Sequence, residues 1–175
     1  MMGDDFHFNS RMINHRNFLF SIRIPPTETA TVFLAADKYS ENMHLRMAIH
    51  DERSFENADR TESFWLAFYS GFIFCTCVLS SLAAWYSGMG LFKYFLAYTW
   101  AVFLIVFGWI GFGFKYIWSG FPYFNSICGY LFIAIAGISI MALTRVYLNA
   151  KENFPLGDKA LKILQWVVAF HIPYL

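Results

Sequence analysis

The sequence predicts a membrane α-helical bundle, three full helices and a truncated fourth, preceded by a partial all-β segment of the jelly-roll-like sandwich kind. Three observations predict it. Of 175 residues, 58% are hydrophobic, 21% aromatic and only 14% charged, where a soluble domain carries about 25% charged residues. The charge is also divided: residues 1–62 hold seven Lys and Arg against ten Asp and Glu, whereas residues 63–175 hold six against two. Finally, no formally charged residue lies between Glu62 and Lys93, from Tyr94 to Phe114, or from Tyr116 to Thr144. This much apolar residue content excludes disorder. Three Cys, all in apolar runs, do not make a disulfide scaffold. A pI near 7.7 without a basic patch away from the membrane-flanking positions gives no footing for nucleic acid.

The β segment comes first. Residues 17–24 alternate so that Phe18, Phe20, Ile22 and Ile24 share one face of an extended strand, and Pro25-Pro26 stops it. Residues 43–50 repeat the pattern with Met43, Leu45, Met47 and Ile49 inward, and Thr31 to Ala36 reads as a buried strand between them. Three or four strands with one apolar face make half a sandwich, which needs a second sheet to cover it. The expected division is therefore 1–60 as the end of a sandwich domain and 61–175 as membrane helices. The missing half is expected upstream of Met1, where the opening ten residues show neither a basic region nor an apolar core of a secretory signal.

The spans follow. About 20 helical residues at ~1.5 Å rise cross the ~30 Å hydrocarbon layer, which places helices at about 63–86, 92–117 and 123–147. Runs of this length without period-2 alternation suit helices rather than barrel strands, because every backbone polar group in lipid must be satisfied within the segment. Ser87-Gly88-Met89-Gly90 and Ser119-Gly120-Phe121-Pro122 are turn chemistry between them. A fourth run, 159–175, has 13 residues after Lys162, which reach about 20 Å as helix and fall short of a span; a longer chain is the expected source.

Basic residues near span ends set orientation. Lys93, Arg145, Lys151, Lys159 and Lys162 flank the first and third connections, and Lys115 stands alone at the second. The first and third connections are thus expected in the cytoplasm and the N-terminal segment outside. The aromatic belts agree, with Trp65, Trp118 and Tyr123 at the outer interface and Trp85, Tyr86, Tyr94 and Tyr147 at the inner one.

The run from Arg16 to Pro26, Arg-x-Phe-x-Phe-x-Ile-x-Ile-Pro-Pro, leads into a second strand, an acidic connector and aromatic-rich helices. With Gly111 to Trp118 closing the second helix and Phe154 to Lys159 in the third connection, this order resembles the bacterial 7TM-DISM receptors, seven-transmembrane receptors with diverse intracellular signalling modules. Ala67 stands where the family's first helix opens on a glycine, with Gly71 retained, and Ala35 or Ala36 replaces a basic residue of the penultimate strand. The resemblance implies a sensor in the bacterial inner membrane, multi-pass, whose periplasmic sandwich and helix bundle receive a signal. The output would be made by a cytoplasmic module in cis, a diguanylate cyclase, a histidine kinase or another regulator. A diguanylate cyclase or histidine kinase whose sensor this is, and a small transporter subunit, are the alternatives. The absence of a midplane charge in spans 63–147 argues against transport. Expected partners are the lipid bilayer, a small-molecule or carbohydrate-like ligand, the output module and, as an option, a second copy in a homodimer.

Cys75 and Cys77 point about 200° apart on a helix, which suits packing and not a shared metal. Gly108, Gly111 and Gly113 echo a phosphate-binding pattern, yet no strand precedes them, so with Gly71 they are expected to serve close helix packing. His171 has no second axial ligand in the visible spans, and a haem anchor is not expected. His44, Arg46 and His50 share the outward face of a strand, which reads as solvated. Lys115, with Tyr116 and Trp118, is the candidate ligand contact, set against a snorkelling interfacial lysine. No nucleophile–base pair, metal cluster or phosphate loop is legible; a non-catalytic chain without cofactor or metal is expected.

Overall fold

The computed structural model describes residues 6–27, 29–33, 47–88 and 90–171. Five helices dominate: α1 Glu52–Ser87, α2 Gly90–Trp109, α3 Pro122–Tyr147, α4 Ala150–Asn153 and α5 Pro155–His171. A short 3₁₀ turn, Phe8–Ser10, precedes them, and a π-helical turn, Gly113–Ile117, lies between α2 and α3.

Helix α1 starts after Asp51 and ends on Gly88, whose φ of 62° gives the left-handed cap that glycine adopts without a Cβ penalty. At 36 residues it is about 54 Å long, so the expected span 63–86 is the membrane-length part of a longer rod. The acidic connector supplies the rest. Residues 52–62 contain no Gly or Pro to break the helix, and Glu52 in the first turn complements the helix dipole.

Helix α2 packs against both α1 and α3, and α5 lies against α3. Small residues line the α1–α2 contact, where Ser70, Cys77 and Ser80 are buried. Their hydroxyls are satisfied within the helix, Ser70 Oγ donating to the Leu66 carbonyl at 2.8 Å and Ser80 Oγ to Thr76 at 2.7 Å. That pattern lets polar side chains sit in an apolar setting without an orphaned donor. Trp100 Nε1 donates to Ser81 Oγ across the contact at 3.1 Å. A ladder of edge-on and tilted rings runs from Phe74 of α1 through Trp100, Phe103 and Phe107 of α2 to Phe112 and Tyr116, with neighbouring centroids about 5–6 Å apart.

The second expected span, 92–117, is not one helix. It breaks after Trp109 at Ile110-Gly111, where Gly111 takes φ 86°, and the chain re-forms as the π turn closed by Trp118 N–H to the Gly113 carbonyl at 3.0 Å. Three glycines within six residues weaken the helix there, and the positive φ at Gly111 redirects the chain at little steric cost. Helix α3 restarts with Pro122 in its first turn, where proline's fixed φ is pre-organised for the helix.

Beyond Lys162, helix α5 turns large apolar side chains outward. Asp158 is buried against α3, while Ile163, Trp166, Val167 and Phe170 are exposed. Such an outward face suits a helix bathed in lipid, although at 17 residues it is not among the three helices, α1, α2 and α3, that are long and apolar enough to cross a membrane.

Among the described residues there is no β-strand. Residues 17–24 carry no regular secondary structure, and Phe18, Phe20, Ile22 and Ile24 of the expected inward face are 41–53% exposed. An apolar strand face gains little without a facing sheet. Of the other two expected strands, 34–36 and 43–46 lie outside the described residues, as do Ala35, Ala36, His44 and Arg46; 31–33 and 47–50 carry no regular structure.

Candidate functional site

The buried cluster of the molecule sits at the outer end of the helices. Phe114, Trp118, Cys128 and Phe132 form it, together with Phe8 from the N-terminal segment, which is 3% exposed. The Phe8 ring meets Phe114 edge-on at 5.5 Å, and the Phe8 N–H donates to the Ser119 carbonyl at 3.2 Å. Residues 6–18 thus dock on the α2–α3 connection. This contact puts the N-terminal segment on the same side of the bundle as that connection, as the expected topology requires.

Arg11 fixes the shape of the segment. Its guanidinium lies over Phe8 at 4.6 Å and Phe18 at 4.3 Å from the ring centroids. Its Nη1 donates to the carbonyls of His15 at 3.0 Å and Arg16 at 2.8 Å. The chain is folded back on a cation, which brings His15 and Arg16 to the head of α1.

There His15 Nδ1 accepts from the Asn17 N–H at 3.0 Å. In the neutral ring the proton therefore sits on Nε2, which donates to Asp59 Oδ1 at 2.9 Å. Arg16 Nη2 reaches the same Asp59 oxygen at 3.2 Å and Glu62 Oε2 at 3.0 Å, with the Arg16 side chain only 5% exposed. Asp59 and Glu62 are three residues apart on α1 and so share a face. A charge-assisted bond of this kind contributes about 1.5–3 kcal/mol, and the exposure of Glu62 reduces its share. Arg16 also lies beside the break after α2: a Cβ on Gly111 would be 3.4 Å from Arg16 Cβ. One arginine therefore touches the N-terminal segment, the head of α1 and the turn that ends α2. The junction ties the N-terminal segment to the head of α1 and to the α2–α3 connection.

A second polar network lies at the opposite end. Arg145, in the last turn of α3, donates through Nε to Asp158 Oδ1 at 2.6 Å and through Nη1 to Gln165 Oε1 at 2.8 Å. Lys162 Nζ takes the other Asp158 oxygen at 3.1 Å, and Gln165 Nε2 donates to the Ile138 carbonyl at 3.0 Å. The hydrogen bond from Arg145, with that from Lys162, holds the Asp158 carboxyl below the usual carboxylate range.

Of the residues singled out in sequence, Lys115 lies beside Tyr116, whereas Trp118 is buried. Lys115 Nζ lies 5.3 Å from the Tyr116 ring centroid, and Tyr116 is exposed. Trp118 turns inward, 5% exposed, and donates to Asn125 Oδ1 at 3.0 Å. Its ring packs on Gly113, where a Cβ would overlap it, and lies 3.7 Å from one on Gly108. Gly108 and Gly113 thus make room for a side chain of their own connection, and Gly111 makes the turn. Gly71 faces open space among the described residues. Cys75 is exposed and Cys77 buried, on different sides of α1, and among the described residues no group of His, Cys, Asp and Glu could hold a metal. His50 lies exposed beside Phe55, while the side chain of His171 is outside what is described. Sequence reading missed Arg11, His15, Asp59 and Glu62 as a site, and noted Arg16 only as the first residue of the run to Pro26 that carries the resemblance. The legible signal was the Asp59/Glu62 pair, i and i+3, just before the first apolar run.

Residues 1–51 match the family model described as 7TMR-DISM extracellular 2. The matched stretch ends at Asp51, the residue that caps α1. No curated protein and no solved structure matches the chain. A match to an extracellular domain followed by three helices of membrane-crossing length and composition supports a multi-pass membrane protein with its N-terminal segment outside.

Proposed function

We propose that the chain is the sensory part of a bacterial 7TM-DISM receptor in the inner membrane. It takes a signal from the periplasmic side and passes it through the helix bundle to a cytoplasmic output module in cis. The observation that carries this reading is the junction in which Arg16 and His15 bind Asp59 and Glu62 of α1 while Phe8 binds the α2–α3 connection. A shift in the outer segment, whether from a small-molecule or carbohydrate-like ligand or from motion of a sandwich domain, changes these contacts and biases the packing of α1 and α2. The helices themselves carry no chemistry in this reading; catalysis belongs to the module, a diguanylate cyclase or a histidine kinase.

A charge swap across the junction tests it. In the receptor with its output module, Arg16→Glu and Asp59→Arg should each shift the response to stimulus, and the Arg16→Glu/Asp59→Arg pair should restore it in part. The module's own product, a cyclic dinucleotide or a phosphohistidine, is the readout. Single variants that still respond normally would remove the junction from the signalling path.

A further inference from the structure

Ahead of α1 the sequence is rich in large apolar side chains, yet among the described residues there the fold buries one of them. Phe6, Met12, Phe18 and Phe20 are 41–83% exposed, whereas Phe8 is 3% exposed. What Phe8 presents to the bundle is small and specific. Its ring stands edge-on to Phe114 at 5.5 Å, and across a short aliphatic spacer its N–H donates to the Ser119 carbonyl at 3.2 Å. The Arg11 guanidinium lies over the same ring at 4.6 Å and over Phe114 at 5.6 Å.

The seat keeps its shape through contacts that do not involve Phe8. Trp118 is fixed by its hydrogen bond to Asn125 at 3.0 Å, packs on Gly113 and meets Phe124 edge-on at 5.5 Å, while Phe124 and Phe132 stand 6.3 Å apart. These residues belong to α3 or to the π turn and its cap, so withdrawal of the N-terminal segment removes the plug and leaves the wall. An apolar cavity of ring size in a braced wall stays dry and takes up small aromatic molecules.

We propose that this seat is a binding site for one aromatic residue on an amide backbone, filled in cis by Phe8 and open in trans to a small aromatic amide when residues 6–18 lift away. The ring is selected by the cluster of Phe114, Trp118, Cys128 and Phe132, and the amide by the Ser119 carbonyl. A neutral donor is preferred over an ammonium, which would meet the Arg11 cation. The site stands whether or not the junction carries a signal.

The probe is N-acetyl-para-fluorophenylalaninamide, which reproduces the ring, spacer and N–H of Phe8, read by fluorine NMR on the full protein in nanodiscs with uptake by empty nanodiscs subtracted. With Phe8 docked about nine-tenths of the time, the seat is open for about a tenth, which weakens apparent affinity about ten-fold. Phe8→Ala should therefore bind the probe about ten-fold more tightly than the unaltered chain, and Arg16→Ala, which keeps Phe8 and loosens its segment, should fall between them. A second measurement needs no variant and so decides the matter where Phe8→Ala folds poorly. In the unaltered chain, excess N-acetylphenylalaninamide should quicken amide exchange at residues 6–18 by displacing Phe8, and N-acetylalaninamide should not. No binding to a folded Phe8→Ala, equal affinity in Phe8→Ala and the unaltered chain, or exchange at residues 6–18 that the aromatic amide leaves unchanged would each overturn the site. None of these readouts passes through the output module, so a failure here is distinct from a failure of the junction to signal.

Discussion

Arg16 lies against Gly111: its Cβ is 3.4 Å from the point where a side chain at Gly111 would begin, and its carbonyl oxygen 3.8 Å. The left-handed backbone of Gly111, φ 86°, is what lets the two chains approach. Gly111→Ala should therefore act twice, through the strained φ and through displacement of Arg16. A loss of about 1–3 kcal/mol is expected, read as a lower melting temperature in detergent together with faster amide exchange at residues 6–18.

Arg16→Ala should free the same segment without touching the turn. Removing charge-assisted bonds to Asp59 and Glu62 is expected to cost about 2 kcal/mol. Arg16→Lys should recover only part of it, because the lysine stem is shorter and its ammonium would not reach the position from which Nη2 meets both carboxylates. Exchange at the head of α1 and in residues 6–18 is the measurement; unchanged protection in Arg16→Ala would show that Phe8 alone holds the segment.

Gly113→Ala and Gly71→Ala form a contrasting pair. A methyl on Gly113 collides with the buried Trp118 ring, and a loss of about 1–3 kcal/mol is expected from overpacking, visible as a shift in tryptophan emission. Gly71 has open space around it, so Gly71→Ala should be neutral or, by better helix propensity, stabilising by up to about 1 kcal/mol. Destabilisation at Gly71 would indicate that another helix packs there.

Acid should loosen the α3–α5 contact only late. The carboxyl of Asp158 is held below its ordinary value by Arg145 and Lys162. Its contribution is thus complete above the unfolded value of about 3.9 and is lost as pH falls through the lower folded one. Protection of α5 should be flat from pH 7 to about pH 4 and fall below that range, and Asp158→Asn should abolish this step while lowering protection at every pH.

Reporter fusions to the full-length protein should place Tyr123 outside and Lys151 in the cytoplasm, as five basic residues on one side against Lys115 on the other require. A cytoplasmic signal after Tyr123 would invert the bundle.

The helices were legible because lipid imposes one requirement on every residue of a span: charge-free runs of sufficient length bounded by glycine turns. α3 was placed to within a residue at its start and at its end for this reason. The break in α2 was not legible, since Gly108, Gly111 and Gly113 serve helix packing as readily as they end a helix, and only the inward fold of Trp118 separates the two. The extension of α1 was hidden by the charges of residues 52–62, which remove a segment from the membrane without removing it from a helix. The junction escaped for a further reason. Arg16 and Asp59 are 43 positions apart, and neither is unusual in its own neighbourhood. The alternation at residues 17–24 is real in the sequence, but a strand pattern specifies a sheet only when a partner strand is at hand.

The length of α1 has a mechanical result. Residues 52–62 project about 16 Å ahead of the run that crosses the hydrocarbon layer, and Asp59 and Glu62 lie at the base of that arm. A continuous helix resists bending over this distance, so a sideways push at its head is not absorbed locally. With the pivot where the rod enters the layer, the arm from there to Ser87 would be several times longer than the arm from Asp59 to the pivot. A small travel at Arg16 would then be enlarged at Ser87, with no change in secondary structure.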